Sequence, residues 1–378
     1  MGGDWKLRNP FRPGAGALPP VLSGRDRELS IAHELLDSLE SGSASPRGLL
    51  FFGPRGNGKT TLLARIAEDA RSRGIRVENL SVAALGSGHA LTRHLQEKAG
   101  LLTPRTPGTH ADGFGISTDA AVRTGDVAEL FLAWVGASDV PLVILLDEAH
   151  ALEPEVGRIF FSAVQEANTQ SLPLLLAAAG TLDAPRRLGH AGAFTERAFR
   201  HVPVGRLERA ATLRALVEPA KDAGRPLHEE AATLLARESQ DYPYFIQLFG
   251  SAAWRATGPA DSAISAEAAH RGTIETRVEI ELFFTERYGE ARERDVDAAL
   301  VPLARLFAKH GGSSTEGELQ ALLRDLARRE SIEGGRQQLL DTLSDLGVVW
   351  ETPPTAWEMG IPSFADFLLA HHSARGDA

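Results

Sequence analysis

Apolar positions along this chain follow two patterns that alternate with each other. Around 48–52, 141–146 and 172–179 they form short unbroken runs, as in strands buried on both faces. Between such runs they recur every three or four residues. Leu29, Ala32, Leu35 and Leu36 do so in the stretch from Asp26 to Ser41, which predicts an amphipathic helix. Further strands are predicted near 75–82 and 201–204, and helices near 59–73, 88–99 and 126–137, with another opened by Pro154. Strands alternating with helices predict a parallel α/β sheet over 25–206. From Glu208 strand signals vanish until about 348, so 207–290 is expected to be a helical lid. The remainder, 291–378, shows helical spacing near 295–309, 316–329 and 335–346, then two short apolar segments from Val348 and Ala356, which predicts three helices followed by a two-stranded ribbon. Residues 1–24, rich in Pro and Gly, are expected to form an extended arm, and 102–125 an inserted loop. No internal repeat is visible.

Two of the apolar runs end in residues that carry chemistry. After Leu49–Phe52 come Gly53, Pro54, Arg55, Gly56, Asn57, Gly58, Lys59, Thr60 and Thr61, which fit the phosphate-binding pattern G-x-x-x-x-G-K-[ST] between a strand and a helix. Glycines there let successive backbone N–H groups turn inward around phosphate oxygens. Lys59 is placed to reach the β- and γ-phosphates, the Thr60 hydroxyl to ligate Mg²⁺, and the following helix offers its positive end. The run Pro141–Leu146 ends in Asp147-Glu148-Ala149-His150. Carboxylates at the C-terminal edge of such a strand lie beside the phosphate loop. Asp147 would then hold Mg²⁺ through water, and Glu148 would orient or deprotonate an attacking water. The competing reading is an acidic helix N-terminus, and the phosphate loop upstream weighs against it. His150 fits a local structural or supporting role better than a catalytic one.

Composition narrows the class. The chain has 378 residues, 43% of them hydrophobic, enough for two or three domains with a large core. It has no cysteine, which excludes disulfides, thiolate catalysis and Cys-based zinc sites. No run of eighteen apolar residues suggests a membrane span, and the first residues lack the apolar stretch of a secretory signal, so a cytoplasmic address is expected. The net charge of −10 argues against a broadly basic surface that coats nucleic acid, while leaving room for a local patch.

With the phosphate loop, the acidic strand end and their order in view, the chain resembles an AAA+ ATPase of the initiator-like or archaeal-ATPase-like group. The resemblance extends over roughly 9–290. It implies a P-loop NTPase parallel sheet, the AAA+ core, followed by a helical lid and a C-terminal winged-helix-like domain. It also implies ATP as the nucleotide and Mg²⁺ as its cofactor. Asn9-Pro10-Phe11, Pro19-Pro20 and Ser23–Leu29 are similar to that group's leading segment, which borders the adenine. Gly180-Thr181-Leu182 is similar to its sensor-1 position, making Thr181 a candidate γ-phosphate sensor; a helix cap is the alternative. Phe194–Arg200 is similar to the arginine-finger region, with Arg197 favoured over Arg200 to reach a neighbouring subunit in a homo-oligomer; a surface ion pair is the alternative. One departure stands out. Where many lids carry a sensor-2 arginine, this chain has Asp241-Tyr242-Pro243-Tyr244-Phe245-Ile246-Gln247. Either its rings press on the nucleotide, or Tyr244, Phe245 and Leu248 are lid core; Arg255 is a distant substitute.

The C-terminal domain carries 9 Lys/Arg against 14 Asp/Glu over 291–378, a net charge of −5. Its third helix holds Arg336, Gln337 and Gln338 beside Asp341 and Asp345, a poor supply of phosphate contacts for double-stranded DNA, so a protein partner is an equal reading. A DEAH-type helicase is set aside, because only one P-loop is present. A simple nucleotide kinase is set aside because the lid is long and a further domain follows. Two functions stand: an assembling ATPase, or a nucleotide-dependent switch with slow turnover that acts through protein partners.

Overall fold

The computed structural model describes residues 8–14, 16–42, 48–100, 124–190, 199–352 and 356–371. Its first part runs α1 (Asp26–Glu40), β1 (Gly48–Phe52), α2 (Lys59–Ser72), β2 (Arg76–Leu80), α3 (Gly88–Lys98), α4 (Thr124–Val135), β3 (Leu142–Leu146), α5 (Pro154–Thr169), β4 (Leu174–Gly180), α6 (Ala184–His190) and β5 (Phe199–Pro203). All five strands are parallel, in the order β2-β3-β4-β1-β5. The unbroken apolar runs have their predicted cause. Leu49, Phe51, Val143, Leu145, Leu175 and Ala177 face α1 and α2, while Leu50, Leu142, Ile144, Leu174 and Leu176 face α3–α5. Both faces of the sheet are therefore dry, and the chemistry is left to the strand ends.

The second part runs α7 (Arg209–Asp222), α8 (Glu229–Ser239), α9 (Pro243–Ala256), α10 (Ala266–Glu275), α11 (Arg277–Glu293), α12 (Leu300–Lys309), β6 (Ser313–Thr315), α13 (Glu316–Arg329), α14 (Gly335–Asp345), β7 (Val349–Thr352), β8 (Ala356–Met359) and α15 (Pro362–His371). The expected strand-free interval holds except for β6, three residues that pair antiparallel with β8 and enlarge the ribbon to a three-stranded sheet, β6-β8-β7. Thr315 both ends β6 and caps α13. Its hydroxyl accepts from the Glu318 N–H while the Glu318 carboxylate accepts from the Thr315 N–H, a reciprocal capping box. The expected inserted loop lies almost wholly outside the described residues, as does Arg197.

One continuous hydrophobic cluster spans α7–α15 and takes in Phe11 from the leading segment. Phe284 of α11 stacks on Phe364 of α15 at 5.5 Å and lies 5.4 Å from Phe367. Gly250 of α9 leaves the space Phe11 fills: a Cβ there would sit 2.6 Å from the Phe11 ring. Asn9 fixes the same segment by donating to the Ser251 carbonyl and hydroxyl.

This helical half is docked back onto the sheet domain. Arg186 and Arg187 of α6 pair with Asp341 and Asp345 of α14, Arg294 also pairs with Asp345, and Arg206 pairs with Glu358 of β8. Trp350 of β7 packs against Phe52 at the end of β1, with ring centroids 6.4 Å apart. Among the described residues no helix is long and apolar enough to cross a membrane.

Candidate functional site

The loop from β1 to α2 gets its shape from three glycines. Gly53 presses on the backbone following β5, where a Cβ would lie 2.3 Å from the Val204 carbonyl oxygen. Gly56 and Gly58 adopt φ of +77° and +87°, which strongly favours glycine, and Gly58 caps α2. Lys59 follows as the first helical residue. Its ammonium is almost fully buried and donates to the carbonyls of Gly53 and Pro54 at 2.9 and 2.8 Å. Burial pushes it down to about 8, against the opposing pull of Glu148 and Asp147.

The acidic strand end meets this loop. Thr60 donates its hydroxyl to Asp147 Oδ2 at 2.6 Å, and the other Asp147 oxygen accepts the Glu148 N–H. Glu148 has φ of +53°, a left-handed conformation that costs a non-glycine residue on the order of 1 kcal/mol and that clusters at working sites. Arg55, Asn57, Lys59, Thr60 and Glu148 border one cavity of about 330 Å³. The leading segment closes it with Arg12, Pro13, Val21 and Leu22, and the lid closes it with Ala215, Tyr242, Pro243, Tyr244, Ile246 and Gln247. Gly56, Gly58 and Thr61 border it as well; Gly53 and Pro54 hold its base through the Lys59 contacts.

Two residues that the sequence placed only within longer motifs, Arg25 in the leading segment and Tyr242 in the aromatic run of the lid, are central to this arrangement. Arg25, 4% exposed, donates to the Asn57 carbonyl at 2.8 Å and the Gly205 carbonyl at 2.6 Å, pinning the loop to the chain after β5. Burial lowers its pKa, and Glu28 partly restores it. Tyr242 is fully buried and donates its hydroxyl to the Arg55 carbonyl at 2.6 Å. Burial drives its phenol pKa upward. A Cβ on Gly56 would meet that hydroxyl at 2.0 Å, so the second loop glycine is required by the lid as well as by its own φ. Of the three residues read as lid core, Phe245 and Leu248 are buried, whereas Tyr244 is half-buried, lines the cavity and reaches Glu279. The ring was the visible signal for Tyr242; its long-range partner was not.

Thr181 is buried at the end of β4, but it does not border the cavity; its hydroxyl donates to Asp183 at 2.6 Å and its N–H to His150 Nδ1 at 3.3 Å. His150 lies with Nε2 3.3 Å from Glu148 Oε2. Burial holds its imidazole below the ordinary value, outweighing Glu148 and Asp183. Arg200 pairs with Glu34 of the same chain at 2.7 Å. Arg255 donates to Ser251 one turn back and does not border the cavity, so it makes no sensor-2 substitute here.

The donor set suits a nucleotide with a hard divalent cation. Thr60 and Asp147 offer oxygen ligands, and no cluster of three His, Asp or Glu side chains among the described residues could hold a metal unaided. Mg²⁺ there would depend on phosphate oxygens and water, as it ordinarily does. Both polar side-chain atoms of Asn57 are buried without a partner among the described residues, a deficit that phosphate oxygens and their waters can meet.

Residues 21–189 match the family of AAA ATPase domains. Solved structures share the fold over most of the chain at low identity. A Walker-type ATPase of Pyrococcus abyssi is 15% identical with a TM-score of 0.58, covering 94% of this chain and 99% of its own. Cdc6p of Pyrobaculum aerophilum is 17% identical with a TM-score of 0.50, covering 94% and 95%. A single-residue variant of RuvB from Thermotoga maritima is 15% identical with a TM-score of 0.50, covering 89% and 92%. No curated protein matches the sequence. Residues 21–189 thus carry an AAA ATPase domain, and the chain as a whole shares its fold with the Walker-type ATPase and with Cdc6p.

Proposed function

We propose that this protein binds ATP with Mg²⁺ in the cavity between sheet, leading segment and lid, and hydrolyses it to drive a change in how its two halves sit together. The observation that carries this reading is the 2.6 Å contact of Thr60 with Asp147, made beside a buried Lys59 and a left-handed Glu148; Lys59, Thr60 and Glu148 border the cavity, and Asp147 stands outside its lining on the far side of Thr60. Lys59 would release the loop carbonyls to bind the β- and γ-phosphates, and Thr60 with Asp147 would hold the cation. Mg²⁺, when bound, supplies neutralisation of the phosphate charge. Glu148 would accept the proton of the attacking water. The leading segment and Tyr244 would flank the base.

The domain limits proposed are an arm over 1–24, a nucleotide domain over 25–206, a lid over 207–290 and a winged-helix-like module over 291–378. In an assembling ATPase, Arg197 would reach the γ-phosphate of a second copy, and Thr181 would sense the γ-phosphate held by its own chain only after its hydroxyl left Asp183. A second reading has its own support. The helix that a winged-helix module would offer to DNA is α14, and its Asp341 and Asp345 are engaged with Arg186, Arg187 and Arg294. That favours a nucleotide-controlled switch acting through a protein partner over a DNA reader.

The test is Mg²⁺-dependent ATP binding and turnover across protein concentration, with and without duplex DNA. Lys59→Ala should abolish binding; retained affinity would remove the site assignment. Glu148→Gln should bind ATP and stop turnover. A rate per subunit that rises with concentration supports assembly, and a slow rate indifferent to concentration and DNA supports the switch.

A further inference from the structure

The end of β3 and the C-terminal module are joined by a run of polar contacts that the hydrolytic reading does not use. Thr181 N–H can only donate, so in neutral His150 the ring nitrogen it meets, Nδ1, is the acceptor and Nε2 carries the hydrogen. That hydrogen-bearing Nε2 is the atom 3.3 Å from the Glu148 carboxylate. The Thr181 hydroxyl donates to Asp183, whose second oxygen is paired with Arg187 Nε. Arg187 then reaches two ways: Nη1 donates to the His150 carbonyl at 3.2 Å, and Nη2 meets Asp345 at 2.9 Å. Asp183 and Asp345 are both almost fully buried, with side-chain exposures of 3% and 8%, so neither carboxylate can exchange Arg187 for water without a local rearrangement. Arg187 thus contacts Asp183, the turn after Glu148 and the last residue of α14.

We propose that His150 and Arg187 are positioning residues through which docking of the C-terminal module, by Asp345, holds Glu148 turned toward His150 and so restrains turnover. The inference rests on the reading of Glu148 as the base. In the docked arrangement the Glu148 carboxylate lies 3.3 Å from His150 Nε2, in polar contact with a ring that Thr181 orients through Nδ1, and Thr181 is fixed by Asp183 and Arg187. Release of Asp345 removes one of the contacts of Arg187 and loosens both the Asp183 side and the His150 carbonyl side of the relay. Coupling then runs in both directions: Glu148 drawn toward a bound γ-phosphate weakens the docking of α14 by the same free energy that docking withholds from it.

The experiment uses the full chain. Because it contains no cysteine, Arg71→Cys and Arg328→Cys, both exposed, give one labelled pair that reports the distance between sheet domain and module. Asp345→Asn should lengthen that distance without nucleotide, raise kcat about fivefold, in the range known for coupling positions, and leave affinity for a fluorescent ATP analogue within about twofold. His150→Phe should raise kcat by a similar factor without lengthening the distance, and the double substitution should add nothing further, since both act through one path. Asp345→Glu should restore the wild-type rate. Arg187→Gln breaks the relay from the other side and serves if Asp345→Asn does not fold. An opened module with unchanged kcat, or effects that multiply in the double variant, overturns the relay. If Glu148→Gln leaves turnover intact, the base assignment itself fails and takes the last link with it. If Glu148→Gln stops turnover but the relay variants leave kcat alone, only the relay falls.

Discussion

Removing one oxygen atom from Tyr242 is the most economical test of how the lid grips the phosphate loop. In Tyr242→Phe the ring keeps its packing against Phe245, 4.9 Å away, and only the donor to the Arg55 carbonyl is lost. No other donor to that carbonyl is found among the described residues, and the Tyr242 ring itself is fully buried. Losing such a part-buried hydrogen bond to an exposed loop residue costs about 0.5–1.5 kcal/mol, and the whole of it falls on the form in which lid and loop are joined. If nucleotide binds to that form, affinity should weaken by about tenfold for each 1.4 kcal/mol. Tyr244→Phe is the matched control. That phenol is half-exposed and its partner is Glu279 at 3.1 Å, so its loss should cost well under about 1 kcal/mol. Burial and Glu279 push its ionisation up to about 12, so both phenols remain donors at any working pH. The assays are denaturant unfolding and titration with a fluorescent ATP analogue. Equal effects for the two substitutions, or a Tyr242→Phe effect below about 0.5 kcal/mol in both assays, would refute the argument.

Three further outcomes follow from geometry. Gly360→Ala places a Cβ 1.9 Å from the Gly347 carbonyl oxygen and 3.5 Å from Pro54, so it should destabilise the module by about 3 kcal/mol, read as an earlier unfolding transition. Because burial keeps His150 below its ordinary pKa, the unfolded chain takes up that proton first; stability is whole above about pH 6.5 and is lost as pH falls from there through the folded value. His150→Phe should flatten unfolding free energy against pH in that window, and an unchanged slope would show that other groups dominate it. Arg25→Met, which keeps length and removes the donors to Asn57 and Gly205, should loosen the phosphate loop and raise the ATP dissociation constant at least about tenfold, measured by calorimetry.

What could be read from the sequence was local in its physics. Continuous apolar runs announce strands covered on both sides, and the residues at their ends follow from where such strands stop, so Lys59, Thr60, Asp147 and Glu148 meet as expected. β6 escaped notice because Ser313–Thr315 is polar and three residues long; it is a strand only because β8 lies beside it. The terminal helix α15 was missed although Phe364, Phe367 and Leu368 are its buried face, since a short helix whose partners lie far off in sequence has a weak period of its own. The acid on α14 read as a liability for DNA contact. Its partners, Arg186, Arg187 and Arg294, lie far enough away in sequence that no spacing rule connects them.

The shared cluster beneath the lid and the C-terminal module has a mechanical meaning. With Phe284 wedged against Phe364 and Phe367, the helices from α7 to α15 have no soft joint at residue 290, where α11 passes straight through. Such a body behaves as a lever. A rotation at its short end, where Tyr242 rests on the loop, is carried without loss to the parts of the body that lie farther from the loop. The protein then needs no flexible tether to transmit its nucleotide state; stiffness does it. Excising either half of that lever should yield a fragment with an open hydrophobic wound instead of an independent domain.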